Sequence, residues 1–293
     1  MSPETGDWTW IDGQVMPTRE ARISVLDRGF LYGDTVFETV RTVDGRGLFL
    51  DQHLVRLRNS LARMGIDFSF EDQWIEQLIE QLIERQVNAT DVVLRITVSR
   101  GDRLDGALDG FGCQPKLVLL SSPISTNIAS KPLELIVSSH QKTPPEVIDP
   151  TVKSGNYLSA IRARDEARVR GADDAVLLSP DGVITELTSA NLFWVIDQTV
   201  FTCDGDLVLN GITRSIALQL LKEHGIEVRE GRFRAIELKR ADEAFATSSI
   251  QGIRAIGSVD GRALASTDPA SICQDLIGKY LQYCRHVMNG TTR

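Results

Sequence analysis

The chain has 293 residues, 42% hydrophobic and 25% charged, the balance of an ordinary globular protein with one large domain or two modest ones. Its formal net charge of −8 argues against nucleic acid or an anionic membrane as partner, yet a few arginines in a cleft would still hold a small anion. Cys113, Cys203, Cys273 and Cys284 are scattered without metal-binding spacing, the N-terminus lacks the basic and apolar parts of a signal peptide, and LVLL at 117–120 is far short of a membrane span. These features imply a cytoplasmic chain with no metal site, whose cysteines are small buried apolar residues.

In chain order, residues 8–16 read as a hairpin turned at Asp12-Gly13, and residues 36–50 as a second turned at Asp44-Gly45. Leu54, Leu57, Leu61 and Met64 recur at helical spacing over 51–64, as do Ile75, Leu78, Ile79 and Leu82 in the next segment. Strands are expected at 91–99 and 116–121. The small, polar and aperiodic SSPISTNIAS then opens an interdomain linker over 121–131. Beyond it come a strand (LELIVSS), a helix over 158–170, and strands at 174–179, 183–185 and 191–196. A helix from Thr213 to Gly225 follows, then a last strand after ADEAFATSS and a C-terminal helix. The pattern is α+β, with a small N-terminal domain (1–120) and a large C-terminal domain (132–293), and a cleft between two domains is the default place for a ligand.

Lys153, in DPTVKSGNYLSAIRARDEA, stands after a Pro-rich loop and before a helix. An arbitrary lysine there is a solvated helix-entrance charge. Here Ser154, Gly155 and Asn156 suggest a tight turn, and Tyr157 adds a phenol one helical turn away. A lysine that attacks a carbonyl needs its amine partly neutral, through desolvation or a neighbouring cation. Glu186, in DGVITELTSANLFWV, lies between two strand-like runs, poorly placed for a solvated face. In NGITRSIALQLL, Gly211-Ile212-Thr213 opens a helix whose first N–H groups and dipole suit a phosphate. Taken alone that is a common N-cap. Ser248 and Ser249, in ATSSI, offer hydroxyls or a plain polar turn, and Arg56 falls on the polar side of its helix, where surface arginines are usual.

Six segments in order, RGFLYGDTVFETVR, HLVRLRNSL, KSGNYL, ITELTSANLFWV, NGITRSIAL and FATSSIQGIRAI, resemble the successive signatures of class IV aminotransferases, from about residue 8 to about residue 260. The resemblance implies a two-domain fold type IV enzyme, with a small α/β domain and a larger pseudo-barrel α/β domain, dependent on pyridoxal 5′-phosphate. It implies a Schiff base at Lys153, which also moves the proton at the substrate Cα. Glu186 would pair with the pyridine nitrogen, so that the ring accepts electrons from the Cα carbanion. Arg56, Ile212, Thr213, Ser248 and Ser249 fall where the family binds phosphate, and Tyr157 where the branched-chain members place a tyrosine near the cofactor. The partners implied are a small-molecule amino donor, a keto acid, and a second subunit of a homodimer that closes part of the pocket.

The branches of the family differ in detail. Branched-chain enzymes commonly carry Phe-Glu-Gly where this chain has Phe37-Glu38-Thr39, and three residues between the lysine and the asparagine where this chain has Ser154 and Gly155 alone. Both details resemble the lyase branch, and the spacing also the D-amino acid branch. The Arg-x-His carboxylate trap of D-amino acid transaminases has no counterpart in SRGDRLDGALDGFG at 99–112. Arg95 interrupts an apolar strand, where a charge needs a partner or a purpose. By strand alternation Arg95, Thr97 and Ser99 share one face, and Thr39 and Arg41 another. Thr39, Arg41, Arg95 and Arg254 are therefore candidate substrate contacts, with Arg254 otherwise a surface arginine. Transamination of the D-amino acid type is expected over the branched-chain L-type, with 4-amino-4-deoxychorismate lyase activity, giving 4-aminobenzoate and pyruvate, as the alternative. A non-catalytic binding module of the same fold would be expected to lose Lys153 or Glu186, and both are present.

Overall fold

The computed structural model describes residues 6–86, 91–105, 107–124 and 131–290. The chain divides into two compact units, Met1–Thr126 with Val152–Asn156, and Asn127–Thr151 with Tyr157–Arg293. The short segment carrying Lys153 thus clusters with the first unit, although in sequence it lies inside the second. Of the expected linker, residues 125–130 lie outside the described residues, and residues 121–123 are the end of a strand.

In the first unit, β1 (Trp8–Ile11) and β2 (Gln14–Pro17) form the expected hairpin, with Asp12 and Gly13 both at positive φ. A five-residue helix, α1 (Arg28–Tyr32), is too short for periodicity to reveal; its N-cap Asp27 accepts the Gly29 N–H. β3 (Thr35–Val43) turns at Asp44-Gly45 into β4, which is only Arg46–Gly47. The second strand ends early because Phe49, at φ 56°, swings the chain into α2 (Leu50–Met64). α3 (Asp72–Glu84), β5 (Val92–Asp102) and β6 (Gln114–Pro123) complete the unit. Its sheet is antiparallel, in the order β2-β1-β6-β5-β3-β4.

Strand alternation gives this sheet two different faces. Val36, Val40, Leu94, Ile96 and Val98 point one way and join Leu54, Leu57, Leu61, Ile75, Leu78 and Leu82 of the two long helices in one core. Thr35, Phe37, Thr39 and Arg41 of β3 alternate with them, as do Arg95, Thr97 and Ser99 of β5. In register, Thr39 stands opposite Arg95, and Phe37 opposite Thr97.

The second unit begins with β7 (Leu133–Gln141), α4 (Leu158–Val169) and β8 (Asp174–Leu178), a parallel strand pair joined through a helix whose Ala163 and Ala167 pack on Ile136, Ala175 and Leu177. β9 (Ile184–Leu187), β10 (Asn191–Ile196), β11 (Thr199–Cys203), α5 (Ile212–Glu223) and β12 (Val228–Gly231) follow. β13 (Glu243–Ser248), β14 (Gly252–Val259), β15 (Arg262–Ala263) and α6 (Ile272–Met288) complete it. The sheet order is β12-β11-β10-β13-β14-β7-β8-β9, with β15 on β14. β9, at one end of that order, lies against β10 and β11, so the sheet curls back on itself. Glu186 is inside β9 rather than between strands, as the sequence suggested. Cys203, Cys273 and Cys284 are buried, whereas Cys113 is half-buried.

Candidate active site

In the second unit the chemistry gathers around Glu186, which is buried. Its Oε2 accepts Asn191 Nδ2 at 3.0 Å and the Leu209 N–H at 3.3 Å, while its Oε1 meets the Lys142 ammonium. Asn191 Nδ2 also donates to the Leu209 carbonyl at 2.8 Å. This amide ties Glu186 to the loop that enters α5. Gly211 lies so close to Asn191 that a Cβ there would collide with Asn191 Oδ1, so the entry needs glycine. Ile212 and Thr213, both buried, then form the first turn of α5, which no side chain caps. Across the sheet Asn191 pairs with Thr247, which brings the end of β13 to the same place. The Thr247 hydroxyl is buried with no hydrogen-bond partner among the described residues, and half-buried Ser248 and Ser249 follow it.

The first unit holds Lys153. Residues 154–156, expected as a tight turn, instead run beside β3: Phe37 N–H donates to the Lys153 carbonyl at 2.9 Å, Ser154 bridges Val36, and Gly155 N–H donates to the Thr35 carbonyl at 3.0 Å. A Cβ on Gly155 would collide with Thr35 Oγ1, so this approach also needs glycine. Lys153 Nζ lies 4.5 Å from the centroid of the Phe37 ring, and the Arg95 guanidinium 3.6 Å from it. Two cations over one ring are favoured by its quadrupole and held on the Thr39–Arg95 face of the sheet.

On the opposite, core face of β3 stands Glu38, fully buried. It accepts Arg56 Nε at Oε1 and Arg56 Nη2 at Oε2, both 2.7 Å, and His53 Nδ1 at 2.7 Å. Burial pushes this carboxyl up, but the Arg56 and His53 hydrogen bonds outweigh it and hold it down at about 2. Burial pushes His53 below its ordinary value, against the pull of Glu38. At neutral pH the group is therefore an ionised Glu38, a charged Arg56 and a neutral His53 whose Nδ1–H donates, since an ionised carboxylate only accepts. Arg56, read from sequence as a residue of the polar helix side, is buried and oriented from within.

The structure thus brings Lys153, Thr39, Arg41 and Arg95 to one sheet face, and Glu186, Ile212, Thr213, Ser248 and Ser249 to one region of the second unit. Tyr157 stands at the start of α4. Arg254 is engaged differently: Nε and Nη2 donate to the Lys131 carbonyl at 3.1 and 2.8 Å, and Nη1 to Gln251 Oε1 at 3.1 Å. Sequence reading did not single out Glu38 and His53, which gather around Arg56, or Lys142 and Asn191, which bond to Glu186. A signal existed for His53 and Arg56, which with Ser60 recur at helical spacing beside the leucine stripe. None existed for Lys142, whose partner is 44 residues away.

The second unit thus pairs a curled mixed sheet with a buried carboxylate wired to a helix start, and the first braces a lysine against a β-strand. The profile of the family Amino-transferase class IV matches residues 35–259. A protein of Methanocaldococcus jannaschii, provisionally named a branched-chain-amino-acid aminotransferase, is 33% identical over 92% of this chain and 94% of its own. The D-alanine aminotransferase of Bacillus licheniformis is 30% identical over 90% and 93%. A Legionella pneumophila structure provisionally named a 4-amino-4-deoxychorismate lyase is 29% identical, with a TM-score of 0.80 over 90% and 96% of the two chains. The chain belongs to the class IV aminotransferase family, enzymes whose cofactor is pyridoxal 5′-phosphate.

The residues present fit that cofactor. A protonated ring nitrogen needs a fixed acceptor, and Glu186 is one. A phosphate needs donors, and the uncapped start of α5, with the orphan Thr247 hydroxyl and Ser248 beside it, supplies them within the same unit.

Proposed function

We propose that this enzyme transaminates an amino acid at Cα, of the D-amino acid type rather than the branched-chain L-type, with pyridoxal phosphate held by Lys153. The observation that carries the reading is the pairing of Thr39 with Arg95 on the face that bears Lys153, a cation and a hydroxyl suited to a substrate carboxylate beside the reacting amine. When bound, the cofactor supplies an electron-accepting ring that acidifies the substrate Cα–H. Lys153 is assigned two tasks, holding the cofactor covalently and moving the proton at Cα. Glu186 accepts the ring N–H. The N–H groups of Ile212 and Thr213, the hydroxyls of Thr213, Ser248 and Ser249, and Arg56 take the phosphate, and Tyr157 offers its phenol to the cofactor. Thr39, Arg41 and Arg95 take the substrate carboxylate, and Arg254, committed to Lys131 and Gln251, is not needed.

The two-residue spacing from Lys153 to Asn156, shared with the D-amino acid branch, supports the D-type choice, while threonine at position 39 resembles the lyase branch. The same details, with the likeness to the Legionella structure, favour a second reading as an aminodeoxychorismate lyase. A panel of D- and L-amino acids, (R)-amines and aminodeoxychorismate separates them. Amino transfer from D-amino acids to a keto acid supports the first reading. Pyruvate and 4-aminobenzoate formed with no keto acid acceptor would replace it, as would a preference for simple (R)-amines. A homodimer in the cytoplasm completes the proposal. Its support is the exposed apolar set of Phe30, Leu31 and Tyr32 on α1 and Leu104 and Leu108 in the loop between β5 and β6, which Arg28 joins by donating to the Ala107 and Leu108 carbonyls.

A further inference from the structure

Glu186 is more completely satisfied than an acceptor for one ring nitrogen requires. Oε2 is filled by Asn191 and the Leu209 N–H, which fix the plane of the carboxylate. Oε1, the remaining oxygen, meets the Lys142 ammonium. Lys142 follows β7 directly, and its own N–H donates to the Leu178 carbonyl at 2.8 Å, so the stem of the side chain starts from a fixed point. Its side chain is 22% exposed and that of Glu186 9%, so the pair is largely withdrawn from solvent screening.

We propose that Lys142 is a positioning residue that sets where the proton rests between Glu186 and the cofactor's ring nitrogen. The inference depends on the reading that Glu186 faces that nitrogen. Two arrangements hold the same number of protons: a ring N–H⁺ against a carboxylate, and a neutral ring nitrogen against a carboxylic acid. Only the first separates full charges, with the negative one on Glu186. Lys142 touches that negative charge and is nearer to it than to any group bonded on the far side. Its attraction to the carboxylate therefore exceeds its repulsion of the ring cation, and it favours the ionic arrangement, in which the ring withdraws electrons best. Without Lys142, burial favours the neutral arrangement, because an ion pair in a low-dielectric site loses more solvation than a neutral hydrogen bond does.

The test is ¹⁵N NMR of the full-length protein loaded with pyridoxal phosphate labelled at the ring nitrogen, whose resonance reports protonation directly. Wild type and Lys142→Arg are expected at the protonated position. Lys142→Met is expected displaced toward the unprotonated one, with an unchanged melting curve, and Glu186→Gln displaced fully. If Lys142→Met coincides with wild type while Glu186→Gln is displaced, the role of Lys142 is overturned. If Glu186→Gln also coincides with wild type, the assignment of Glu186 itself fails, and the proposal with it. Should Lys142→Met not fold, Lys142→Gln is read by the same criteria. A purely structural lysine would lower the melting temperature in these variants without moving the resonance.

Discussion

Replacing Glu38 by Gln removes one charge from a fully buried group of three and leaves the shape nearly unchanged. The carboxylate accepts three hydrogen bonds of 2.7 Å, two from Arg56 and one from His53. A carboxyl held at about 2 in the folded chain against 4.5 in the unfolded one contributes on the order of 3 kcal/mol at neutral pH. That agrees with the roughly 3–5 kcal/mol lost when one partner of a buried ion pair is removed. The sign follows from the direction of the shift. A depressed carboxyl contributes stability that is present above its unfolded value and lost as pH falls from about 4.5 to about 2. Wild type should therefore exceed Glu38→Gln by about 3 kcal/mol at pH 7, and by roughly 1 kcal/mol less at pH 3.5. His53, pushed down by burial against the pull of Glu38, titrates differently once that carboxylate is gone, so both proteins are compared in a His53→Asn background, where the neighbour does not titrate. Urea unfolding followed by tryptophan fluorescence suits the measurement, because Trp8, Trp10 and Trp74 all lie in the first unit. A gap below about 1 kcal/mol, or one equal at the two pH values, would refute the reasoning that Glu38 is the counter-ion fixing Arg56.

Lys153→Ala, reconstituted with pyridoxal phosphate, should lack the visible absorption band of the wild-type enzyme in a spectrophotometric titration. Glu186→Gln should keep the cofactor but turn over about a hundredfold more slowly or worse, the roughly 2–4 kcal/mol typical of one lost electrostatic contact, as read by steady-state kinetics. Gly155→Ala, whose new Cβ collides with Thr35 Oγ1, should displace Lys153 and lower cofactor occupancy while circular dichroism stays unchanged. Arg95→Ala should raise KM for carboxylate substrates far more than for a neutral primary amine; an equal rise would mean that Arg95 chiefly braces Phe37.

The sequence made the local architecture readable wherever one element carries its own signal. Both Asp-Gly turns and both leucine-rich helices stand as expected, because positive φ and a buried stripe are properties of adjacent residues. α1 did not show, being too short to have a period, and β4 was overestimated because the strand pattern over 46–50 continues into a left-handed Phe49. Lys153 was legible as a candidate, but not its membership of the first unit. That depends on hydrogen bonds between residues more than a hundred positions apart, such as Phe37 with Lys153.

The buried charges show why the site was only half legible. Composition scales read Glu38, His53 and Arg56 as surface residues, since each is costly to bury alone. Each becomes affordable only through the other two, and that compensation joins a strand to a helix 15 and 18 residues away. Glu186 differs in one respect. Its partners on Oε2, Asn191 and the Leu209 N–H, are neutral donors that fix direction, and its charge is met by Lys142 on Oε1. Glu38 is thus closed off by two arginine nitrogens and an imidazole and faces the core, which suits it to holding Arg56 still. Glu186 is oriented by neutral groups and balanced by a cation that is 22% exposed, which suits it to answering a second cation brought by a ligand. The two carboxylates have the same chemistry, and the direction and charge of their donors divide the work between them.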